Sequence, residues 1–189
     1  FPQRPSIERL DIDIPFLEYQ KLLNDRERAI SNDFLTNPTT VKAKIRFHNR
    51  IHKAKVRLKG DLGDHWYSKT RFSLRVSLKG KKAILGFKKF SIQKPRARQH
   101  PYDQAFQSLL QESGNLTSVH TYANIYVNGK YWGVMNIEEH ISKELLEKQH
   151  RKDSIVIRLG NDKAFELGNT KKFRKPDGYK LSDERLNVR

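Results

Sequence analysis

The stretch RLKGDLGDHWYSKTRFSLRVSLKG, from Arg57 to Gly80, gathers many of the residue types in this chain that can do chemistry. Gly60, Asp61, Gly63, Asp64 and His65 make a short acidic glycine loop, with Lys59, Lys69 and Arg75 flanking it and Lys94 ending a later apolar run. Ammonium and guanidinium groups around a glycine turn suit phosphate oxygens, because charge-assisted hydrogen bonds are short and strong. The same groups are also what a solvated basic sheet exposes. Asp61, Asp64 and His65 either order the loop by pairing with nearby lysines or meet a metal or acceptor, and loop ordering is the favoured reading. Trp66 reads as a core anchor at the loop base before it reads as a base-stacking ring. A second group, Glu138, Glu139 and His140, stands just before a helix, where acids also favour the positive helix end.

Composition narrows the options. With 38 Lys+Arg against 21 Asp+Glu, the 189-residue chain carries a formal charge of +17. Such a field attracts polyanions, nucleotides or acidic protein surfaces. The absence of Cys excludes disulfides, thiolate metal sites and a Cys nucleophile. No apolar run approaches the roughly 20 residues needed to span a bilayer. Seven histidines are scattered without an HExxH pattern, so no metal ligand is assigned. G-x-S-x-G, G-x-x-x-x-G-K-[ST] and G-x-G-x-x-G are all missing, which removes the hydrolase elbow and the two common phosphate cradles. Gly60–Gly63 matches the G-x-x-G of a KH-type RNA clamp, but it is acidic and leaves a strand.

The elements that must position these residues follow from periodicity. Pro15–Ile30 predicts an amphipathic helix, with Phe16, Tyr19, Leu22 and Leu23 as its apolar stripe. Residues 41–48, 53–60, 71–80 and 88–94 alternate as four strands with basic outer faces. His100–Gly114 predicts a second helix, whose stripe is Tyr102, Ala105, Phe106, Leu109 and Leu110. Two aromatic and β-branched runs around Asn128-Gly129 predict a hairpin with a tight turn, and Tyr131 and Trp132 are expected in its core. A helix capped by Ser142 follows, then a strand over SIVIRLG. The expected fold class is α+β: an antiparallel sheet with a helix inserted before the last hairpin, resembling the small lobe of a protein-kinase-like fold. In that layout a loop covers nucleotide phosphates, a strand cation pairs with them, and Glu138–His140 form the hinge.

The blocks RLKGD, DHW, RFSLRVSLKG, ILGFKKFSIQKP, YVNGKYWGVMNIEEH and SKELLE resemble the spore coat protein H (CotH) kinase family, from about Ile12 to Asn161. The resemblance implies an atypical kinase that uses ATP with Mg²⁺ or Mn²⁺ and transfers the γ-phosphate to Ser or Thr of a partner protein. It also implies an extracytoplasmic or cell-envelope setting, with any membrane tether outside this chain; nucleic acid is not a favoured partner. Lys59, Lys69, Arg75, Lys94, Glu138, Glu139 and His140 are the expected nucleotide-binding set. Lys88 and Lys89 compete for the strand-cation role. The helix after Pro101 offers Gln104 and Gln107 where an acid would hold that cation, leaving Asp103 or Glu112. The expected organisation is an N-terminal extension over 1–40, a kinase-like small lobe and hinge over 41–160, and the start of a truncated or mobile region over 161–189. The residues after Asn161 are too few for a catalytic lobe, so no catalytic residue is assigned and the chain alone is expected to bind nucleotide without transferring phosphate. The alternative is a non-catalytic basic module that docks polyanions.

Overall fold

The computed structural model describes residues 7–157. Residues 1–153 form one compact unit and 154–189 a second, of which only Ser154–Ile157 are described; these four carry no regular structure. The remainder of the SIVIRLG run and the 161–189 region lie outside the described residues.

Seven strands close into a barrel: β1 (Glu8–Asp13), β2 (Val41–Phe47), β3 (Arg50–Leu58), β4 (Leu74–Leu78), β5 (Lys89–Gln93), β6 (His120–Val127) and β7 (Lys130–Glu139), in the order β1-β2-β3-β4-β5-β7-β6. Helix α1 (Phe16–Asn32) joins β1 to β2, α2 (Tyr102–Glu112) joins β5 to β6, and α3 (Lys143–Lys148) follows β7. Strict alternation drives the curl. Val41, Ala43 and Ile45 of β2, Ala54, Val56 and Leu58 of β3, and Leu74 and Val76 of β4 all point inward and are buried. Asn128 and Gly129 both have positive φ, so the β6–β7 turn has the backbone that Asn-Gly tolerates.

The expectation of an α+β antiparallel sheet resembling a kinase small lobe is corrected by β1, which closes a mixed barrel. Leu10 and Ile12 alternate with charged neighbours, pair antiparallel with β2, and pair parallel with β6 across more than a hundred residues of sequence. That parallel pairing makes the sheet mixed and removes both edges. The seam is fastened at its end: the Ile14 N–H donates to Asn128 Oδ1 at 2.7 Å, and the Asn128 N–H donates to the Ile12 carbonyl at 2.9 Å.

The helices differ from their expected packing. In α1 the buried residues are Leu22, Asp25, Arg26 and Ala29, whereas Phe16 is exposed. Asp25 is buried because it accepts from the Thr39 N–H and from Arg28, and Arg26 because it donates to the carbonyls of Tyr67 and Ser68. No residue of α2 is buried, and Tyr102, Phe106 and Leu109 of its apolar stripe are exposed. Trp132 lies in the core beside Phe72, but Tyr131 faces outward against Tyr126.

Candidate functional site

On the outer face of the barrel, cross-strand register aligns Arg57, Arg75, Ser91, Glu138 and His120 in one row across five strands. Gln93, Asn136 and Tyr122 form the adjoining row. An outward face is ordinarily wet, yet Ser91, Gln93 and Asn136 are buried. Two segments flank it: the loop after β3 and the turn Pro95–Arg98 that leads to α2.

Glu138 is the centre of this cluster. Its Oε2 accepts from Lys59 Nζ at 2.7 Å and from Gln93 Nε2 at 2.6 Å, while Arg98 clamps both oxygens through Nε and Nη2 at 2.7 to 3.1 Å. Gln93 Oε1 in turn accepts from Lys59 Nζ at 2.9 Å. The ammonium is thereby aimed by two acceptors, and its third N–H has no acceptor among the described residues.

The electrostatics are unbalanced in favour of cations. Burial pushes the Lys59 ammonium down to about 8, and Arg98 and Arg75 add to the effect against the help of Glu138. Burial alone would raise the Glu138 carboxyl, but Lys59 and Arg98 overcome it and hold the group at about 2. Both partners of the ion pair shift downward: at Lys59 burial outweighs the help of Glu138, and at Glu138 the two cations outweigh burial. Burial likewise lowers His140, with Arg75 contributing. His65 is lowered by burial and by Lys59 and Arg98, and its Nδ1 lies 2.9 Å from Ser73 Oγ.

Among the residues singled out from sequence, Lys59, Arg75, Glu138, His140 and His65 therefore share one electrostatic neighbourhood. Glu139 does not. It is buried on the opposite face of β7 and bonds Lys148 of α3. Lys69 is exposed on the loop, Lys94 is half-buried at the start of the Pro95 turn, and Asp61 and Asp64 are exposed. Lys88 and Lys89 pair with Glu144. The glycine loop is a folded cap: Trp66 and Phe72 are fully buried, and the Trp66 indole donates to the Gly60 carbonyl at 3.1 Å. Gly60 has φ +93° and its missing Cβ leaves room for the His65 ring. Gly63 opens a short 3-10 turn, with the Tyr67 ring occupying the space a Cβ would need.

Gln93 and Arg98 were not legible as site residues. The one available signal was the run KPRARQ directly after a strand, which places a guanidinium one turn beyond the sheet. Among the described residues no three His, Asp or Glu side chains gather into a metal-ion cage.

The fold is a closed mixed barrel that carries on its outer face a polar cluster centred on Glu138, with Lys59 and Arg98 as its cations. The sequence matches the CotH kinase protein family over residues 56–187, and the chain belongs to that family. A kinase-related role, in general terms, follows from this membership. The match begins within β3, so β1, α1 and β2 stand outside it. No curated protein matches the chain.

Proposed function

We propose that the Lys59–Arg98 cluster receives phosphate groups of ATP, in a kinase that passes the γ-phosphate to Ser or Thr of a partner protein. The observation that carries the reading is the geometry of Lys59: a buried ammonium held by Glu138 and Gln93, with one N–H still to donate. A phosphate oxygen arriving there gains a charge-assisted bond in a site already largely dehydrated, where such bonds are strongest. It also adds negative charge beside the Lys59 ammonium, which burial disfavours. Because Glu138 and Gln93 fix the ammonium beforehand, little side-chain entropy is lost on binding.

ATP carries Mg²⁺ or Mn²⁺ on its phosphates, and such ions often use few protein carboxylates. Family membership supports the nucleotide and the metal in general, while the assignment to these residues rests on the cluster. An extracytoplasmic or envelope setting belongs to the same proposal. Among the described residues no helix is long and apolar enough to cross a membrane.

Calorimetric titration of the chain with Mg-ATP tests the reading. Binding should be lost in Lys59→Met and in Arg98→Met while both variants stay folded. Unchanged affinity in both would refute the assignment.

A further inference from the structure

On the outer face of β2 and β3, register sets like charges opposite one another: Lys42 faces Lys55 and Lys44 faces Lys53. Lys79, just beyond β4, donates its backbone N–H to the Lys53 carbonyl at 2.8 Å and adds a third column. Like charges directly opposite on a sheet are destabilising. Among the described residues no side-chain hydrogen bond or ion pair engages the ammonium groups of Lys42, Lys44, Lys53 or Lys79. Asp13 stands opposite Lys44, and the Glu18 carboxylate, which accepts from the Lys42 backbone N–H and from Lys21, lies near enough to feel the Lys42 charge.

The four lysines rim a groove of about 600 Å³. Ile14, Pro15, Ala43 and Ala54 also line it. Directly after Pro15, Phe16 and Leu17 open α1 with 72% and 73% of their surface exposed.

We propose that this groove docks an extended acidic segment of a partner protein, with apolar residues between its carboxylates. Acids at alternate positions of an extended chain recur every ~6.6 Å, the same spacing as Lys42 and Lys44 along β2. The barrel is closed and the local ladder satisfied, so the segment is held by side chains and not by strand addition. A polyphosphate would leave the exposed Phe16 and Leu17 wet, whereas apolar residues between the carboxylates would cover them; a nucleic acid is the competing outcome of the test. Lys53 lies six residues before Lys59, ~20 Å along the strand, so this surface is apart from the Glu138 cluster and its test needs no nucleotide.

The probes are a fluorescent peptide alternating Glu with Leu, a matched peptide alternating Glu with Ser, and a duplex DNA oligonucleotide, read by anisotropy on the full chain. The Glu-Leu peptide should bind most tightly and retain part of its affinity at high salt. Lys53→Glu should weaken it by about tenfold or more and, by placing opposite charges across the β2–β3 pair, raise Tm. Lys53→Met, which folds without new charge, should fall between. Equal binding by the parent and Lys53→Glu would overturn the proposal, as would tighter binding of DNA than of the Glu-Leu peptide through the same lysines.

Discussion

Lys59 Nζ donates to Glu138 Oε2 at 2.7 Å, joining the end of β3 to the end of β7 across 79 residues of sequence. The bond is buried, polar and locked by a bidentate arginine, and each of these properties has a measurable consequence.

Removing the two partners should have unequal effects. Glu138→Ala strands the buried Lys59 ammonium, and breaking a buried pair in this way costs about 3–5 kcal/mol. Lys59→Met leaves Glu138 held by Arg98 and Gln93 and removes an ammonium that burial already disfavours, so its cost should stay within about 1–2 kcal/mol. Urea denaturation of the two variants checks the asymmetry. Equal costs would contradict the sharing of one carboxylate among several cations.

The pair also sets a pH profile. The folded Glu138 carboxyl is held at about 2 against an ordinary 4.5. The unfolded chain therefore takes up that proton first as pH falls. Stability from Glu138 is complete above 4.5 and lost on the way to 2, and amounts to about 3 kcal/mol from a shift of this size. Lys59 acts in the opposite sense. Its folded value of about 8 lies below the ordinary 10.5, so its penalty at neutral pH is relieved as pH climbs between them. Denaturation across pH should show the acid limb flattened in Glu138→Gln and the alkaline limb flattened in Lys59→Met.

The loop cap depends on Gly60. A Cβ there would lie 2.0 Å from the His65 ring, on a backbone with φ +93°. Gly60→Ala should cost about 1–3 kcal/mol through strain and displacement of the ring. Thermal melting gives the cost, and a shift of the His65 imidazole resonances shows where it falls.

Barrel closure is tested at β1. Leu10 and Ile12 are fully buried, and replacing either with Ala should cost about 2–5 kcal/mol. Losses below that range would mean that β1 is an ornament on an open sheet.

Much of the architecture could be read from the chain, because β2, β3 and β4 alternate so cleanly that their inward residues name themselves. Asn128-Gly129 fixed its own hairpin for the same local reason. What stayed hidden was non-local. Leu10 and Ile12 give too short an alternation to announce a strand, and nothing in their neighbourhood encodes a parallel partner at Ile125 and Val127. The stripe on α2 obeys helical spacing, yet spacing does not say what a face meets, and Tyr102, Phe106 and Leu109 are exposed. Within the site, Lys59 and Glu138 were each visible as charged residues near a loop and a helix. Their pairing was not, since it depends on the strand order, in which Lys59 reaches Glu138 past Gln93 of β5. Gln93 read as an ordinary outward strand residue, because cover from a neighbouring segment leaves no trace in period-two alternation.

The most direct test of the central claim is labelling with an ATP acyl-phosphate, whose acyl group is transferred to amines lying next to bound phosphates, followed by peptide mass spectrometry. A lowered ammonium at Lys59 is poised for this reaction. The account predicts that Lys59 is acylated ahead of the exposed lysines and that excess Mg-ATP protects it. Labelling spread over Lys42, Lys44 and Lys53, with Lys59 unmodified and no protection by Mg-ATP, would contradict it.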